Sequence, residues 1–411
     1  MDSQRRAQAD TIVREAIAAV MPQQAVCRAL EGVVFPGAVV PVAAGKAAWS
    51  MAKAAADCLG SRLEQGIVLT KYGHVPGPLE NFLCHEGGHP VPDENSFAGT
   101  QKALEMVRGL SAQDTVLFLL SGGASALFEW PLLPARELQD ITGQLLACGA
   151  DIGEINTVRK RLSAVKGGRF AQLCQPARVY SVILSDVLGD RLDMIASGPT
   201  CPDRSTAAQA LAVAKKYGLR LSDRAWELLG QETPKELTNV TNVVTGSVRE
   251  LCAAAAESCR RLGYEPVVLT TQLCCQARQA GEWLAGEVKK RACPGRKLAL
   301  IAGGETVVRL TGKGKGGRNQ ELALAAAPLL RGMSGCALFS VGSDGTDGPT
   351  DAAGGYVDGD TARDLEAMGI SIEEVLGEND AYNALGMVGG VLITGPTGTN
   401  VNDVAVALLD V

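Results

Sequence analysis

The sequence is poor in several residue types, and each shortage excludes a class of protein. Aromatic residues make up only 4% of the 411 residues, which is too few for base-stacking platforms or aromatic sugar-binding surfaces. The 39 basic and 45 acidic side chains leave a net charge of −6, so there is no basic surplus for general nucleic-acid binding. Hydrophobic residues reach 46%, which excludes a disordered chain. We therefore expect a globular protein that binds small molecules and no nucleic acid.

Features of secretion and membrane insertion are also lacking. The first 21 residues mix both charge signs with short apolar groups and lack the apolar region of a signal peptide. Residues 381–402 carry no charge, but their glycines, threonines, asparagines and Pro396 are too polar for a membrane span. The 12 cysteines include no C-x-x-C pair, which favours reduced thiols. These absences predict a cytoplasmic location and no membrane partner.

Histidine is scarce as well, with three residues in the chain. His85-Glu86-Gly87-Gly88-His89 matches the H-E-x-x-H string of zinc proteases, which works only on a helix. Two glycines and the following Pro90 oppose a helix there, so we interpret the match as chance. His89 is expected to pack in a turn.

Short apolar, β-branched runs alternate with helical stretches, which predicts an α/β protein. The first runs lie at 38–45, 66–72, 115–123 and 178–187. Their near-continuous apolar character is typical of a parallel sheet covered on both faces. A second series of runs follows a charged, turn-rich segment, at 242–247, 265–271, 297–304, 306–312, 337–345 and 390–395. We predict a Rossmann-like, doubly wound domain over 1–238 and a second α/β domain over 239–411.

Glycine is abundant, with 48 residues, and it clusters where predicted strands end. Glycine at such ends lets backbone N–H groups approach an anion closely. The segment 155–185 has basic but no acidic residues, and 306–320 repeats that pattern. The segment 332–362 has the reverse pattern, with acids and no Lys or Arg. Such loops suit a polyphosphate, a small carboxylate and Mg²⁺, although part of the basic segment is also expected to be a solvated helix face.

Two short strings partly match nucleotide-binding motifs. Gly45-Lys46 ends like a phosphate loop, but Val40 and Ala47 break the G-x-x-x-x-G-K-[ST] pattern. Residues 312–317 match G-x-G-x-x-G between a predicted strand and a helix, yet the acid that would bind ribose is missing. The lysines of this loop favour phosphate binding over a dinucleotide site.

Several longer segments together resemble one family, the glycerate 2-kinases, whose C-terminal part is called the MOFRL domain. The segments are AAGKAAWSMA (43–52), GHPVPDENS (88–96), LLSGGASALF (119–128), INTVRKRLSAVKGGRFA (155–171), LSDVLGDRLDMIASGPTCPD (184–203), GGETVVRLTGKGKGGRNQELAL (303–324), SVGSDGTDGPTDAAGGYVD (340–358) and TGPTGTNVNDVAVAL (394–408). The resemblance covers nearly the whole chain. It implies ATP- and Mg²⁺-dependent phosphorylation of D-glycerate to 2-phosphoglycerate, in a cleft between two α/β domains. Ala124, Ser343 and residues 269–277 depart from the family's usual pattern.

Phosphoryl transfer needs cations for the moving group, and two positions supply them. Lys46 and Arg318 each stand where a helix is predicted to begin, and the resemblance points to the same two residues. Asp186 is the predicted base or metal-binding acid. The predicted substrate- and phosphate-binding residues are Ser121, Gly122, Gly123, Ser125, Asn156, Arg159, Lys166, Asp190, Gly316, Gly317 and Asn319. The predicted metal ligands are Glu305, Asp344, Asp347 and Asp351.

Two other functions remain open at this point. One is a hydroxypyruvate reductase that uses a nicotinamide cofactor and the G-x-G-x-x-G loop. The other is a non-catalytic module that binds a sugar acid or nucleotide. The intact set of charged residues favours the kinase, as a monomer or a homodimer.

Overall fold

The structure is a computed structural model that describes residues 2–410. It divides into two compact units. The first unit is Pro22–Thr245, and the second combines the described residues up to Met21 with those from Gly246 onward. The predicted division after residue 238 lies before this point, and it assigned the N-terminal segment to the first domain.

The first unit is built on one sheet of six parallel strands. In chain order these are β1 (Val39–Ala44), β2 (Gly66–Lys71), β3 (Phe82–Gly87), β4 (Thr115–Leu120), β5 (Arg178–Ile183) and β6 (Val240–Val244). After the N-terminal helix α1 (Ser3–Ala19), the helices of this unit are α2 (Pro22–Leu30), α3 (Ala48–Leu59), α4 (Glu94–Met106), α5 (Ala124–Leu127), α6 (Ala135–Ala147), α7 (Ile152–Arg159), α8 (Arg169–Leu173), α9 (Ala207–Lys216) and α10 (Asp223–Leu229).

The strand order is β3-β2-β1-β4-β5-β6, which is the doubly wound Rossmann arrangement. Alternate residues of one strand enter opposite cores: Phe118 packs in one apolar cluster, and Leu117 and Leu119 pack in another. Both faces are therefore covered, as the apolar runs predicted. The strand order reverses between the parallel neighbours β1 and β4, and ligands of such sheets bind beyond the carboxyl ends of the strands at that point.

The second unit contains a mixed sheet. Its strands are β7 (Glu265–Leu273), β8 (Lys297–Gly304), β9 (Cys336–Gly342), β10 (Gly354–Asp358), β11 (Val391–Leu392) and β12 (Asp403–Asp410), in the order β11-β10-β9-β12-β8-β7. Among the strands that the structure describes in this sheet, only β7 and β8 pair in parallel. The helices are α11 (Val248–Arg261), α12 (Ala277–Arg291), α13 (Arg318–Leu330), α14 (Thr361–Ala367), α15 (Ile372–Gly377) and α16 (Ala381–Met387).

Helix α1 belongs to this second unit although it comes first in the chain. It buries one face, which includes Ile12 and Ile17, and it packs against α11. On its polar side Glu15 accepts hydrogen bonds of 2.5 Å from Ser258 and Arg261. These contacts are distant in sequence, so local patterning could not assign the helix.

Several details differ from the sequence prediction. The strand predicted at 306–312 is absent from the described chain, and 242–247 contributes β6 to the first sheet instead of opening the second. Strands β3, β10 and β12 were not predicted. Cys27 and Cys58 form a disulfide, so the expectation of reduced thiols is wrong for this pair. Within residues 2–410, no helix is long and apolar enough to cross a membrane.

Candidate functional site

In the first unit, the loops after β1 and β4 lie side by side at the point where the strand order reverses. The backbone N–H of Lys46 donates to the carbonyl of Gly122 over 2.9 Å. The N–H of Ala47 donates to Ser121 Oγ over 3.1 Å. Gly45 adopts φ +123°, and a Cβ there would lie 2.3 Å from Ser121 Oγ, so only glycine fits. The predicted residues Lys46, Ser121 and Gly122 are therefore held together, and Lys46 lies two residues before α3.

Gly122 and Gly123 let side chains approach the backbone. A Cβ on Gly122 would lie 2.1 Å from a carboxylate oxygen of Asp186, which follows β5. A Cβ on Gly123 would lie 3.1 Å from His89 Nε2 and 3.2 Å from Cγ of Lys46. Among residues 2–410, the N–H groups of these two glycines donate to no backbone carbonyl. The turn thus combines two available donors with a cation, an imidazole and a carboxylate.

His89 was expected to pack in a turn, and the structure places it next to Gly123 and close to Lys46. Burial lowers the pKa of His89, and the nearby positive charges of Lys46, Lys71 and His74 lower it further. His74 Nδ1 lies 3.2 Å from the carbonyl of Lys46. These effects favour the neutral form of the His89 ring, and the positive charges of Lys46 and Lys71 beside it would attract an anionic substrate.

The predicted residues Asn156 and Asp190 lie in different surroundings. Asn156 is buried, where it accepts a hydrogen bond of 2.8 Å from Ser197. Asp190 is half-buried in the turn after Asp186, with φ +52°.

The basic residues of 155–185 are mostly internal. Lys160 and Arg161 pair with the buried Asp203, and Arg169 donates to the carbonyl of Ser163 over 2.8 Å. Lys166 is fully buried and donates, together with Arg159, to the carbonyl of Ser125. The expectation of a solvated basic face is wrong for these residues, because they are directed at partners inside the protein.

In the second unit, Arg318 is fixed by a two-point contact with Asp403. Arg318 Nε donates to Asp403 Oδ2 over 2.5 Å, and Nη2 donates to Oδ1 over 2.9 Å. Arg318 Nη1 also lies 3.8 Å from Glu305. The hydrogen bonds that Arg318 donates to Asp403 raise the pKa of Arg318, so the guanidinium stays charged. Burial raises the pKa of Asp403, although the hydrogen bonds and charge of Arg318 act in the opposite direction.

The location of Asp403 follows from strand register. As the first residue of β12, it pairs with Gly304 at the end of β8 and with Gly342 at the end of β9. Glu305 and the turn that contains Asp344 continue from those two strand ends. Arg318 and the acids around it therefore share one edge of the sheet.

Asp347 was predicted to bind metal, but it forms the cap of helix α13. Its carboxylate accepts hydrogen bonds from the N–H groups of Asn319 and Gln320 over 3.1 and 2.9 Å. A Cβ on Gly317 would lie 2.3 Å from its carboxyl carbon, so glycine permits this contact. Asn319 is completely buried and also accepts a hydrogen bond from Ser340. Burial raises the pKa of Asp347 to about 6.

The remaining predicted metal ligands do not gather into a cluster. Asp344 is half-buried, and its Oδ1 accepts from the N–H of Thr346 over 3.0 Å. Asp351 is exposed and accepts a hydrogen bond from Tyr382. Within the described residues, no three His, Cys, Asp or Glu side chains are placed to hold a metal ion. Any Mg²⁺ here would need ligands from a bound phosphate and water.

The loop at 312–317 lacks the setting of a dinucleotide motif, since no strand precedes it. Asn379 Oδ1 accepts from the N–H of Gly312 over 2.9 Å, and Asp380 Oδ1 accepts from Lys315 over 2.8 Å. Gly316 packs closely against Gly348 of the acidic turn. The glycines therefore let the loop lie on neighbouring backbone at the start of α13.

Sequence reasoning missed two residues of these sites, His89 and Asp403. The string GHPVPD was a usable signal for His89, because it stands among the resembling segments. Asp403 had no local signal, since its role depends on the pairing of β12 between β8 and β9.

Two family models match most of the chain. Residues 8–230 match the family described as "Domain of unknown function (DUF4147)", and residues 298–403 match the MOFRL family. The first match covers the Lys46 turn, and the second covers Arg318 and Asp403.

Known relatives match over almost the full length. The chain is 53% identical to a D-glycerate 2-kinase of Thermotoga maritima over 97% of both chains. It is 41% identical to a glycerate 2-kinase of Pyrococcus horikoshii over 97% of this chain and 96% of that one. A putative hydroxypyruvate reductase of Agrobacterium vitis is 39% identical over 91% of this chain and 87% of its own. The crystal structure of a Thermotoga maritima glycerate kinase superposes with a TM-score of 0.95 at 51% identity, covering 99% of this chain and 100% of that one.

Proposed function

Because the chain belongs to the glycerate kinase family, whose members are phosphotransferases with an alcohol group as acceptor, we propose that it phosphorylates D-glycerate at the 2-hydroxyl with ATP and Mg²⁺. The products are 2-phosphoglycerate and ADP. The observation that carries the proposal is that Lys46 and Arg318 each stand beside a strand end at the start of a helix, in a chain 53% identical to a D-glycerate 2-kinase.

Lys46 places a positive charge beside the N-terminus of α3, where an anionic group of a substrate would bind. The two available N–H groups of Gly122 and Gly123 add directed donors beside it. This combination suits the carboxylate of glycerate or the oxygens of the transferring group. Lys71 strengthens the positive potential, and the imidazole of His89 lies beside Gly123.

Asp186 stands against Gly122, where it can accept the proton of the attacking hydroxyl. As the bond from the 2-oxygen to phosphorus forms, the bond from the γ-phosphorus to the bridging oxygen breaks, and ADP leaves. The proton passes to Asp186, so charge and atoms balance. Little covalent chemistry is required of the protein, because positioning and charge neutralisation dominate phosphoryl transfer.

Arg318 neutralises charge on the phosphoryl oxygens, and the two-point contact with Asp403 fixes its orientation. Asp344 and Glu305, which each follow a strand end that pairs with Asp403, are the residues that would hold a Mg²⁺, with phosphate oxygens and water as its other ligands. When bound, the metal would shield the negative charge of the phosphates. Asp347 does not fit this role, since its oxygens are committed to α13.

Because one relative is named a putative hydroxypyruvate reductase, kinase activity and reductase activity are compared directly in this protein. One assay measures ADP formation with D-glycerate, ATP and Mg²⁺, and another measures NADH and NADPH oxidation with hydroxypyruvate. Phosphorus NMR of the product identifies phosphate on carbon 2 by its coupling to that carbon's proton. We expect ADP formation that requires D-glycerate and no oxidation of NADH or NADPH; the opposite result would overturn the proposal.

A further inference from the structure

A buried ionic cluster of Glu129, Lys166 and Arg159 lies behind the Ser121–Phe128 turn. Lys166 Nζ lies 3.3 Å from Glu129 Oε2, and both side chains are at most 1% exposed. Arg159 Nη2 lies 3.7 Å from the same oxygen, and its side chain is 14% exposed. Within the described chain, neither carboxylate oxygen of Glu129 accepts a well-directed hydrogen bond. Charge therefore holds the cluster together.

Both cations of the cluster converge on one backbone carbonyl. Lys166 Nζ donates to the carbonyl of Ser125 over 2.8 Å and to that of Phe128 over 3.2 Å. Arg159 Nη2 donates to the carbonyl of Ser125 over 3.0 Å. These carbonyls lie at the end of the short helix α5, where cationic donors satisfy groups that lack a helical partner.

The opposite side of the same turn carries Gly122 and Gly123. Gly122 contacts Asp186 and accepts from the N–H of Lys46, and Gly123 lies beside His89. A shift of the carbonyl of Ser125 would therefore move the glycine donors relative to Lys46 and Asp186. A displacement of about 1 Å is enough to cost roughly a hundredfold in rate.

We propose that Glu129, Lys166 and Arg159 are positioning residues, which hold the Gly122–Ser125 segment in its reactive geometry without touching substrate. This inference rests on the proposed function. It replaces the expectation that Arg159 and Lys166 bind phosphate, since Lys166 is fully buried and its donors are engaged by backbone carbonyls.

The energetics of the cluster indicate that it positions the Gly122–Ser125 segment and contributes little to the stability of the fold. Burial lowers the pKa of Lys166 to about 8; the charge of Glu129 opposes this shift, and that of Arg159 adds to it. A buried ion pair is often no more stabilising than apolar residues of the same size, whereas one unpaired buried charge is costly. The hydrogen bonds from Lys166 to the carbonyls of Ser125 and Phe128 therefore explain the presence of the Glu129–Lys166 pair better than a gain in stability does.

The test uses the double variant Glu129→Gln/Lys166→Met, which removes both charges together. Its thermal midpoint should stay within a few degrees of wild type, because the net charge of the cluster is unchanged and the one charge left without its partner, Arg159, is 14% exposed and can be solvated. The single variant Lys166→Met should unfold at a lower temperature. The control Glu154→Gln/Lys216→Met neutralises a pair on the surface of the same unit and should behave as wild type.

Two readouts separate positioning from a purely structural role. Hydrogen exchange in peptides spanning 119–128 should be at least about tenfold faster in the double variant, whereas exchange in β1 should be unchanged. The value of kcat/KM should fall about 10- to 100-fold, and the step in the wild-type pH profile near pH 8 should be lost.

Wild-type exchange at 119–128, or a folded double variant with wild-type kcat/KM, would overturn the inference. If wild-type protein forms no ADP with glycerate, the proposed function fails instead. The exchange experiment still decides whether the cluster holds the turn, so the two failures are distinguishable.

Discussion

Replacing Asp403 by asparagine tests how Arg318 is held. The change keeps the size of the side chain but removes its charge and one of the two acceptors that face the guanidinium. Hydrogen bonds to charged groups contribute about 1.5–3 kcal/mol each. Asp403 is 8% exposed and Arg318 is 27% exposed, so solvent screens part of that energy. We expect a loss of about 2 kcal/mol, which lowers Tm by roughly 4–8 °C in a domain of this size.

Catalysis should suffer more than stability in this variant. A guanidinium that lacks its second anchor rotates away from the phosphoryl oxygens, and misplacement by about 1 Å costs roughly a hundredfold in kcat/KM. Coupled ADP detection over a range of glycerate concentrations at saturating ATP measures kcat and kcat/KM, and a thermal scan of the same sample measures Tm.

Asp410→Asn is the matched control, because Asp410 ends the same strand and pairs with Lys297 on the surface. Such exposed pairs contribute about 0–1 kcal/mol, so both readouts should remain near wild type. A wild-type kcat/KM for Asp403→Asn, with Asp410→Asn also normal, would refute the view that Asp403 orients the catalytic arginine.

Three further predictions follow from individual contacts. Gly122→Ala places a Cβ 2.1 Å from Asp186 and should lower kcat/KM about a hundredfold, whereas Gly143→Ala, where a Cβ meets nothing within 4 Å, should leave it unchanged. Lys46→Met should raise the pKa of His89 towards its ordinary value in histidine-labelled NMR, and an unchanged pKa would contradict the placement of the two residues. Burial raises the pKa of Asp347 to about 6 against 3.8 when unfolded, so its contribution to stability is complete below pH 3.8 and is lost as pH rises through 6. The stability of wild type relative to Asp347→Asn should therefore fall by up to about 3 kcal/mol between pH 4 and pH 6 in urea titrations, and equal pH dependence would contradict this assignment.

The first sheet was largely predictable because its strands are buried on both faces. Continuous apolar runs marked β1, β2, β4 and β5, and each was found within a few residues of its predicted bounds. Strand β3 was missed because it is half-exposed and includes His85 and Glu86, which masked its apolar pattern. The assignment of β6 to the first sheet is set by pairing with β5, which no local pattern encodes.

The glycine turns and two helix-start cations of the candidate site were predictable from composition and resemblance. The charge pattern of the sequence did not show which of the basic side chains face solvent. In the sequence, Lys166 and Arg159 resemble phosphate-binding residues. In the structure both pair with the buried Glu129, which lies some 30 or more positions earlier in the chain. Asp347 likewise resembles a metal ligand until its hydrogen bonds to α13 are seen. The predicted cleft between the domains stays a prediction.

The turnover of Lys46→Ala and Arg318→Ala tests the central claim most directly, namely that these two cations stabilise the transferring phosphoryl group. The measurement is kcat for ADP formation at saturating D-glycerate, ATP and Mg²⁺, with Tm recorded as proof of folding. We predict that each folded variant loses about two or more orders of magnitude in kcat. Turnover near the wild-type rate in either variant would contradict the claim.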